Sequence, residues 1–415
     1  DEFDKVDLRT SQNYSWAFQG DGSNTFLREV LGRDLQGSFG HPYTRSRYYH
    51  LYLNGVYWGL YMTQERAEAN HAEAYLGGNK ADYDTIKSAG SSGGYNTEAT
   101  DGTFATGSDW HTLWTMARAQ QTTPTIARFM ELQGLNPDGS RNPALPIYLD
   151  VDNLIDYQMV IGYTGNYDGP LSDFVGASNN WYSVRDRVRD GFGVQFFVHD
   201  GEHSMGAGGK WNGANDRINT SNGSGSRGDY NKSNPSFIHF DLTENTGEYR
   251  LRFADRAHLA LFNGGLLTQG SVMTHMNARK NTVADVIIAE SARWGDSKRT
   301  DPFDEQDWNN AVNNLIGTIN IRSNDFLGHL RTANLYPSLD APAYSQHGGS
   351  VSTGSTIDTT VPTDGTHLYY LIGTGDSDTT DWQDGLDPRL VGGTVNPAAS
   401  VMAISGGGST ATLTI

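Results

Sequence analysis

Two aromatic-rich segments joined by Asn54-Gly55 constrain the fold of this chain more than any other feature. The segments cover residues 48–53 and 56–62 and are rich in Tyr and Leu. Asn-Gly fits a two-residue type I′ turn, in which both central residues have positive φ, and is the strongest short-range signal for a β-hairpin. We therefore expect an antiparallel sheet in the first part of the chain.

Helical periodicity accounts for much of the remaining sequence. Apolar residues recur at helical spacing in residues 25–37, in residues 109–132, which Pro124 divides, and throughout residues 235–335. From residue 344 onward, short runs of Thr, Val and Tyr alternate with Gly and Pro, which indicates strands. This mixture predicts an α+β fold class.

Three shorter predictions concern the stretch that follows the hairpin. Residues 65–75 fit a helix that starts at Glu65, and residues 83–87 fit a strand that ends at Lys87. Residues 90–107 are rich in Gly, Ser and Thr and fit a loop. From the residues alone, Lys87 is equally well interpreted as a solvated strand-end lysine or as a residue that binds a ligand. Glu65 is likewise either a helix-start carboxylate or part of a binding site.

The charge balance and the absence of cysteine narrow the functional classes. The 415 residues include 30 Lys or Arg and 48 Asp or Glu, and the net charge of −18 argues against nucleic acid or an anionic membrane as a partner. No cysteine is available for disulfides, thiolate metal sites or nucleophiles. No apolar run is long enough to insert across a membrane. We expect a piece of a larger bacterial protein that is extracellular or located on the cell surface.

Three polar residues at the ends of predicted elements fit phosphoryl-transfer chemistry. Asp168 follows a predicted helix, Asn180 precedes one predicted strand, and Asp200 follows the next. One carboxylate can orient an attacking hydroxyl, while an Asn and a second Asp can hold a divalent cation on nucleotide phosphates. The alternative is that these residues only cap helices and turns, as Asp and Asn commonly do.

The segment from His199 to His203 also matches H-x-x-E-H, a zinc metallopeptidase signature. That signature requires both histidines on one face of a helix. A strand-like apolar run leads directly into the segment and Gly201 lies at its centre, and both features argue against a helix. Zinc peptidase activity is therefore the weaker alternative here.

Glu290 and Arg293 lie three residues apart in a predicted helix. This spacing places the two charges on one helical face, so we expect a buried ion pair that stabilises the helical part of the chain. Contact with a substrate is the alternative role for this pair.

A wider set of segments resembles a known family. Over about residues 5–336, the chain is similar to the CotH kinase family (spore coat protein H-like), in its branch of large extracellular proteins. The matching segments are residues 50–61, 65–66, 77–78, 83–87, 166–170, 179–182, 199–203, 248–256, 262–265 and 290–296.

This resemblance implies an atypical, two-lobed protein-kinase-like fold that binds ATP with Mg²⁺ and phosphorylates Ser or Thr on spore-coat proteins. Carried over residue by residue, Asp168 matches the catalytic Asp, and Asn180 and Asp200 match the metal-binding residues. Lys87 resembles the lysine that contacts the phosphates, and Glu65 its ion-pair partner. The implied cofactors are ATP and Mg²⁺.

The chain departs from the family pattern in three respects. Residues 169–177 form an insertion, which makes Asp173 a rival for the role of Asp168. The usual Gly-rich loop before the lysine strand is absent, so the Asn54-Gly55 hairpin or residues 90–94 would have to cover the phosphates. The upstream strands of the small lobe are expected to be incomplete.

The last part of the chain resembles a fibronectin-III-associated or chitobiase-C-terminal-like β-module, on residues 344–349, 368–370, 385–389 and 392–393. We therefore divide the chain into a small lobe (residues 1–110), a large helical lobe (111–338) and a small all-β module (339–415). The module carries four close carboxylates, for which a solvated acidic loop is the preferred interpretation and a Ca²⁺ site is the alternative: Asp376, Asp378, Asp381 and Asp384.

These observations predict a kinase that transfers phosphate from Mg-ATP to Ser or Thr of an extracellular or surface protein. Its partner would be a protein substrate or a surface-layer or matrix protein. Because extracellular ATP is scarce, a non-enzymatic structural or adhesive module with a kinase-like fold is the main alternative. Nucleotidyl or glutamyl transfer on the same scaffold is another, because a fold does not fix a reaction.

Overall fold

The structure is a computed structural model that describes residues 5–207, 216–218, 226–362, 367–371, 387–403 and 410–414. Helices and strands are mixed along the chain, which confirms the predicted α+β class. None of the described helices is both long and apolar enough to cross a bilayer. The helices are α1 (Arg28–Ser38), α2 (Ala69–Leu76), α3 (Asp109–Thr122), α4 (Ile126–Leu132), α5 (Val151–Thr164), α6 (Pro235–Asn245), α7 (Gly247–Leu261), α8 (Gln269–Ala284), α9 (Ile287–Trp294) and α10 (Glu305–Thr332).

The described strands form four antiparallel sheets, with the orders β1-β3-β2, β5-β4-β6-β7, β12-β9-β8 and β10-β11. The first two sheets belong to the first half of the chain and the last two to its end. The strands are β1 (Val6–Arg9), β2 (Tyr48–Leu53), β3 (Val56–Glu65), β4 (Tyr83–Ser88), β5 (Thr97–Asp101), β6 (Trp181–Asp186), β7 (Gln195–Val198), β8 (Ala343–Tyr344), β9 (Thr356–Thr360), β10 (His367–Tyr370), β11 (Ser400–Ala403) and β12 (Thr410–Thr414).

The predicted hairpin is present as β2 and β3. Asn54 and Gly55 have φ values of +50° and +80°, and Leu53 pairs with Val56 across the turn. Positive φ at both central residues is what a type I′ turn requires. Strand β1 pairs with the other edge of β3, with Arg9 opposite Met62. A segment from the start of the chain therefore adds a third strand to the hairpin.

Two predictions near the hairpin are wrong in detail. Glu65 is the last residue of β3 and α2 begins only at Ala69, so Glu65 is not a helix-start carboxylate. Residues 90–107 are not all loop, because β5 pairs with β4 and places Glu98 opposite Lys87. Residues 97–101 form a strand because they pair with β4 at the edge of the sheet, although their sequence has a weak strand pattern. The tendency of a segment to form a strand depends strongly on such context.

Helix α5 is the central element of the main hydrophobic core. All of its residues except Asp152 are buried, and it contacts α1, α6, α7 and β7. Asp150 accepts a hydrogen bond from the Asn153 backbone N–H at 2.9 Å and caps the start of the helix. Gly165, with a φ of +61°, ends it in the left-handed conformation. The chain therefore leaves the buried helix directly into the loop that carries Asp168.

Helix α9 is held to β3 by the side chains of Glu290 and Arg293. The carboxylate of Glu290 accepts the Leu60 backbone N–H at 2.7 Å, and Arg293 Nε donates to the Tyr57 carbonyl at 3.0 Å. Instead of the predicted ion pair with each other, Glu290 and Arg293 each form a hydrogen bond with the backbone of β3. A buried backbone N–H such as that of Leu60 needs such a partner, because it has no access to water.

The described end of the chain contacts the helical part. Arg389 donates two hydrogen bonds of 2.8 Å to the carboxylate of Glu248 on α7, and Gly392 N–H donates to the same carboxylate at 2.9 Å. The four aspartates of the predicted Ca²⁺ loop lie outside the described residues, so the calcium site stays a prediction, as does the division into lobes and module.

Candidate functional site

Asp168 lies in the loop after α5, and its carboxylate is surrounded by hydrogen-bond donors. The Ser172 hydroxyl donates to Oδ1, and the Asn179 side-chain amide donates to the same oxygen at 3.2 Å. The Asn180 side-chain amide donates to Oδ2 at 3.0 Å. The predicted catalytic carboxylate and one predicted metal ligand are therefore in direct contact.

Asn180 is the residue directly before β6. Its φ of +49° is a left-handed conformation that is uncommon for residues other than glycine. Its nitrogen faces Asp168, and no described residue donates to its amide oxygen. Gly169 allows this approach, because a Cβ atom there would lie 2.9 Å from the Asn180 carbonyl oxygen. The Asn180 amide oxygen is thus left available to a ligand.

Asp200 follows β7 and also has positive φ, at +48°. Its Oδ1 is bound by the Arg9 guanidinium, and Oδ2 has no hydrogen-bond partner among the described residues. Burial raises the pKa of Asp200 to about 6, Arg9 opposes the rise, and the negative charges of Glu29 and Asp168 add to it. Asp168 and Asp200 are therefore close enough for their charges to interact.

Asn166 connects the two acidic residues. Its Oδ1 accepts the backbone N–H of Asp168 at 3.2 Å. Its Nδ2 lies 3.3 Å from where a Cβ of Gly169 would stand and 4.0 Å from that of Gly201, the residue after Asp200. That nitrogen is buried and has no hydrogen-bond partner in the described structure. The loops that carry Asp168 and Asp200 thus meet at one buried amide.

Lys87 and Glu65 are not paired with each other as predicted. Lys87 Nζ lies 2.9 Å from Glu98 on β5, while Glu65 accepts the Tyr75 hydroxyl at 2.5 Å and the Arg45 backbone N–H at 2.9 Å. The expectation failed because β5, which supplies Glu98, was taken for loop. Lys87 Nζ lies 5.8 Å from the centroid of the Tyr182 ring, which in turn packs against the ring of His199, the residue before Asp200.

Asp173, the rival to Asp168, has a different partner. Its side chain is 38% exposed and is paired with Arg217. The carboxylate that accepts the Asn180 amide is instead that of Asp168. The insertion therefore leaves Asp168 as the carboxylate beside Asn180.

The H-x-x-E-H segment forms a turn, as the sequence indicated, and its two histidines have separate partners. His199 Nδ1 lies 2.5 Å from the Gln64 amide, whereas His203 contacts the Tyr14 hydroxyl at 2.6 Å and the Asn13 amide at 2.8 Å. Among the described residues, no group of three or more His, Cys, Asp or Glu side chains is arranged around a common metal position. The zinc alternative therefore has no structural support in this segment.

Sequence reasoning missed three charged residues of the site. Arg9 bridges Asp200 and Glu29, and the second carboxylate lies on α1. Glu202 accepts the backbone and side-chain N–H groups of Asn13 at 3.2 and 3.0 Å. Burial and the nearby charge of Asp200 raise the pKa of Glu202 to about 8. Only their positions in space identify Arg9 and Glu29, which are far from Asp200 in sequence, whereas Glu202 lies two residues after Asp200 in the segment 199–203.

The donor set fits Mg²⁺ better than a softer cation. Mg²⁺ takes hard oxygen ligands, needs few from the protein and keeps several waters. One carboxylate oxygen of Asp200 and the amide oxygen of Asn180 are without partners among the described residues. Burial is the main cause of the raised pKa of Asp200, and a bound cation would favour its charged form.

Comparison with known protein families identifies the family of the chain. The sequence profile described as CotH kinase protein matches residues 14–325, about three quarters of the chain. No individually curated protein matches significantly. The matched range includes Asp168, Asn180 and Asp200. The chain therefore belongs to the CotH kinase family, which indicates kinase-like activity.

Proposed function

We propose that the chain transfers the terminal phosphoryl group of Mg-ATP to a Ser or Thr hydroxyl of an extracellular or surface protein. The observation that carries this proposal is the contact between Asp168 and Asn180. In this contact the Asn180 amide nitrogen lies 3.0 Å from Oδ2 of Asp168, while the amide oxygen of Asn180 has no partner among the described residues, which supports the roles of a base and a metal ligand. Family membership and the closeness of Asp200 support the same chemistry.

In this proposal each residue has a distinct task. Asp168 orients the acceptor hydroxyl and takes its proton as the oxygen attacks phosphorus. Asn180 and Asp200 hold Mg²⁺, which would neutralise the charge of the phosphates. Lys87 supplies a cation for the phosphate oxygens, and Arg9 is a second candidate because it already contacts Asp200. Catalysis by positioning and charge neutralisation suffices for phosphoryl transfer.

Two substitutions separate binding from chemistry. We expect Asp200→Asn to abolish Mg²⁺-dependent ATP binding, measured by titration calorimetry, because a metal ligand loses its charge. We expect Asp168→Asn to keep that binding and to lower phosphate transfer about 10²–10⁴-fold, the usual contribution of a general base. Transfer can be followed from labelled ATP to a Ser/Thr-containing protein mixture.

Asp190→Asn is the control, because it changes an exposed carboxylate in the connection between β6 and β7, outside the site, and should leave binding and transfer intact. Transfer at the wild-type rate by Asp168→Asn would contradict the assignment. An intact-mass measurement of the modified acceptor distinguishes a phosphoryl group from a nucleotidyl or glutamyl group.

One observation favours the non-enzymatic alternative. Arg9 neutralises Asp200 at an oxygen that a metal could use, so the site is internally balanced without a ligand. In a structural or adhesive module, this ion pair would simply stabilise the fold. Such a module should show neither heat nor a thermal shift on addition of ATP and Mg²⁺, and that result would overturn the proposed kinase function.

A further inference from the structure

The carboxylate of Asp168 has an unequal distribution of donors. Oδ1 accepts the Ser172 hydroxyl and the Asn179 amide, while Oδ2 accepts only the Asn180 amide among the described residues. A carboxylate has about four acceptor positions, two on each oxygen. Oδ1 is therefore saturated, and the open position is on Oδ2, the oxygen next to Asn180.

Ser172 is held so that its hydroxyl proton points at Asp168. The hydroxyl oxygen accepts the Phe174 backbone N–H at 3.1 Å, which leaves the O–H to donate to Asp168. The Ser172 backbone N–H donates to the Ala177 carbonyl at 3.0 Å, and the residue is fully buried. Its position is thus fixed by the backbone of the insertion.

The insertion itself is anchored on both sides of Ser172. The Arg217 guanidinium donates hydrogen bonds to the Leu171 carbonyl and to the Asp173 carboxylate. The Asp173 backbone N–H donates to the Tyr167 carbonyl at 2.8 Å. These bonds tie the turn to the same loop that carries Asp168. The turn and the carboxylate therefore form one rigid unit.

We propose that Ser172 is a positioning residue for phosphoryl transfer: with Asn179 it occupies Oδ1 of Asp168, so that Oδ2 alone faces the acceptor hydroxyl. This proposal rests on the proposed kinase function. It gives the insertion a role, because residues 169–177 supply the donor that fixes the carboxylate. Complete burial argues against Ser172 as a phosphate acceptor, because no γ-phosphate could approach its hydroxyl without opening the turn.

The test separates rate from nucleotide binding. We expect Ser172→Ala to lower kcat about 100-fold, the scale of a misplaced reacting group, with KM and Kd for Mg-ATP unchanged. Ser172→Thr, which keeps the hydroxyl, should restore most of the rate. Asn179→Ala removes the other Oδ1 donor from a less buried position and should also lower kcat, which covers the case in which Ser172→Ala does not fold.

Ser178→Ala is the matched control. Ser178 is equally buried at the end of the insertion and accepts the Trp181 Nε1–H at 2.7 Å, but it does not touch Asp168. It should lower the melting temperature without changing kcat.

Four results would overturn the positioning role. They are an unchanged kcat in both Ser172→Ala and Asn179→Ala, an equal loss in Ser178→Ala, a parallel loss of nucleotide affinity, or a phosphate on Ser172 found by peptide mass spectrometry. Wild-type protein that binds Mg-ATP but transfers nothing would instead overturn the proposed function, and the positioning role with it.

Discussion

Single side chains set the charge balance of the candidate site. Arg9 lies between the carboxylates of Asp200 and Glu29, and Arg33 lies 3.3 Å from Glu29 on its other side. Alternating charges compensate for the cost of removing each of them from water. Of these charged residues, Arg9 is the one that contacts Asp200 and would compete with a cation for it.

Arg9→Gln tests this competition at the residue scale. Without the guanidinium, the negative charge around Asp200 is no longer offset, so we expect Mn²⁺, used as a probe without nucleotide, to bind roughly tenfold more tightly. Mn²⁺ titration by calorimetry measures the effect. Arg45→Gln removes an exposed arginine that pairs with Glu65 and should leave the affinity unchanged. Equal or weaker Mn²⁺ binding in Arg9→Gln would show that Arg9 does not compete.

At the scale of elements, α9 and the β2–β3 hairpin are joined through buried polar contacts. Glu290 accepts the Leu60 N–H, and the Trp294 indole donates to the Trp58 carbonyl at 2.5 Å. Arg293 stacks over the Trp294 ring, 3.8 Å from its centroid. The hairpin thereby has a helix on one side in addition to its own strand pairing.

Glu290 makes this contact pH-dependent. Burial raises its pKa from the usual 4.5 to about 7, against the opposing effects of the Leu60 N–H and Arg293. The folded state therefore holds a proton that the unfolded state releases, and stability should fall as pH rises from about 4.5 to above 7.

Glu290→Gln removes this pH dependence, so it should be about 1–3 kcal/mol more stable than the wild type at pH 8 and similar to it at pH 4.5. Urea unfolding at both pH values measures the difference. Glu290→Ala is the control, because it leaves the Leu60 N–H without a partner and should destabilise the protein at both pH values. A Glu290→Gln profile parallel to that of the wild type would contradict the shift.

At the scale of the whole molecule, the contact between Arg389 and Glu248 connects the C-terminal part of the described fold to helix α7. Glu248 is almost completely buried, whereas Arg389 is about one-third exposed. Burial favours the protonated carboxyl, but the hydrogen bonds from Arg389 and Gly392 prevail and lower the pKa of Glu248. The ion pair should therefore weaken as pH falls below the usual carboxyl range.

Glu248→Gln should loosen the C-terminal segment without unfolding the helical part, because it removes the charge that holds Arg389. We expect faster cleavage after residue 338 in limited proteolysis, with the fragments identified by mass spectrometry. Glu244→Gln, which breaks the nearby pair with Arg227, is the control. Equal cleavage in both variants would mean that Arg389 does not hold the segment.

Local patterns predicted most elements but not their long-range partners. The Asn54-Gly55 turn and the division of helices at Pro124 follow from backbone chemistry, and both are present. Strand β5 was missed because its residues carry little strand propensity and are ordered by pairing with β4. The partner of Lys87 was consequently misassigned, since Glu98 lies on that strand.

The sequence by itself determined the residue types that this family uses, their order along the chain, and the turns and caps that depend on neighbouring residues. Tertiary structure alone decided that the Asn180 amide nitrogen donates a hydrogen bond to Asp168 and that Arg9 neutralises Asp200. It also decided that Ser172, together with Asn179, saturates Oδ1 of Asp168. The physical reason is the sequence distance over which the determining interactions act. The conformation of a turn is set by the dihedral angles of a few adjacent residues. The charge and hydrogen bonding of a buried carboxylate are set instead by whichever distant segments the core brings against it.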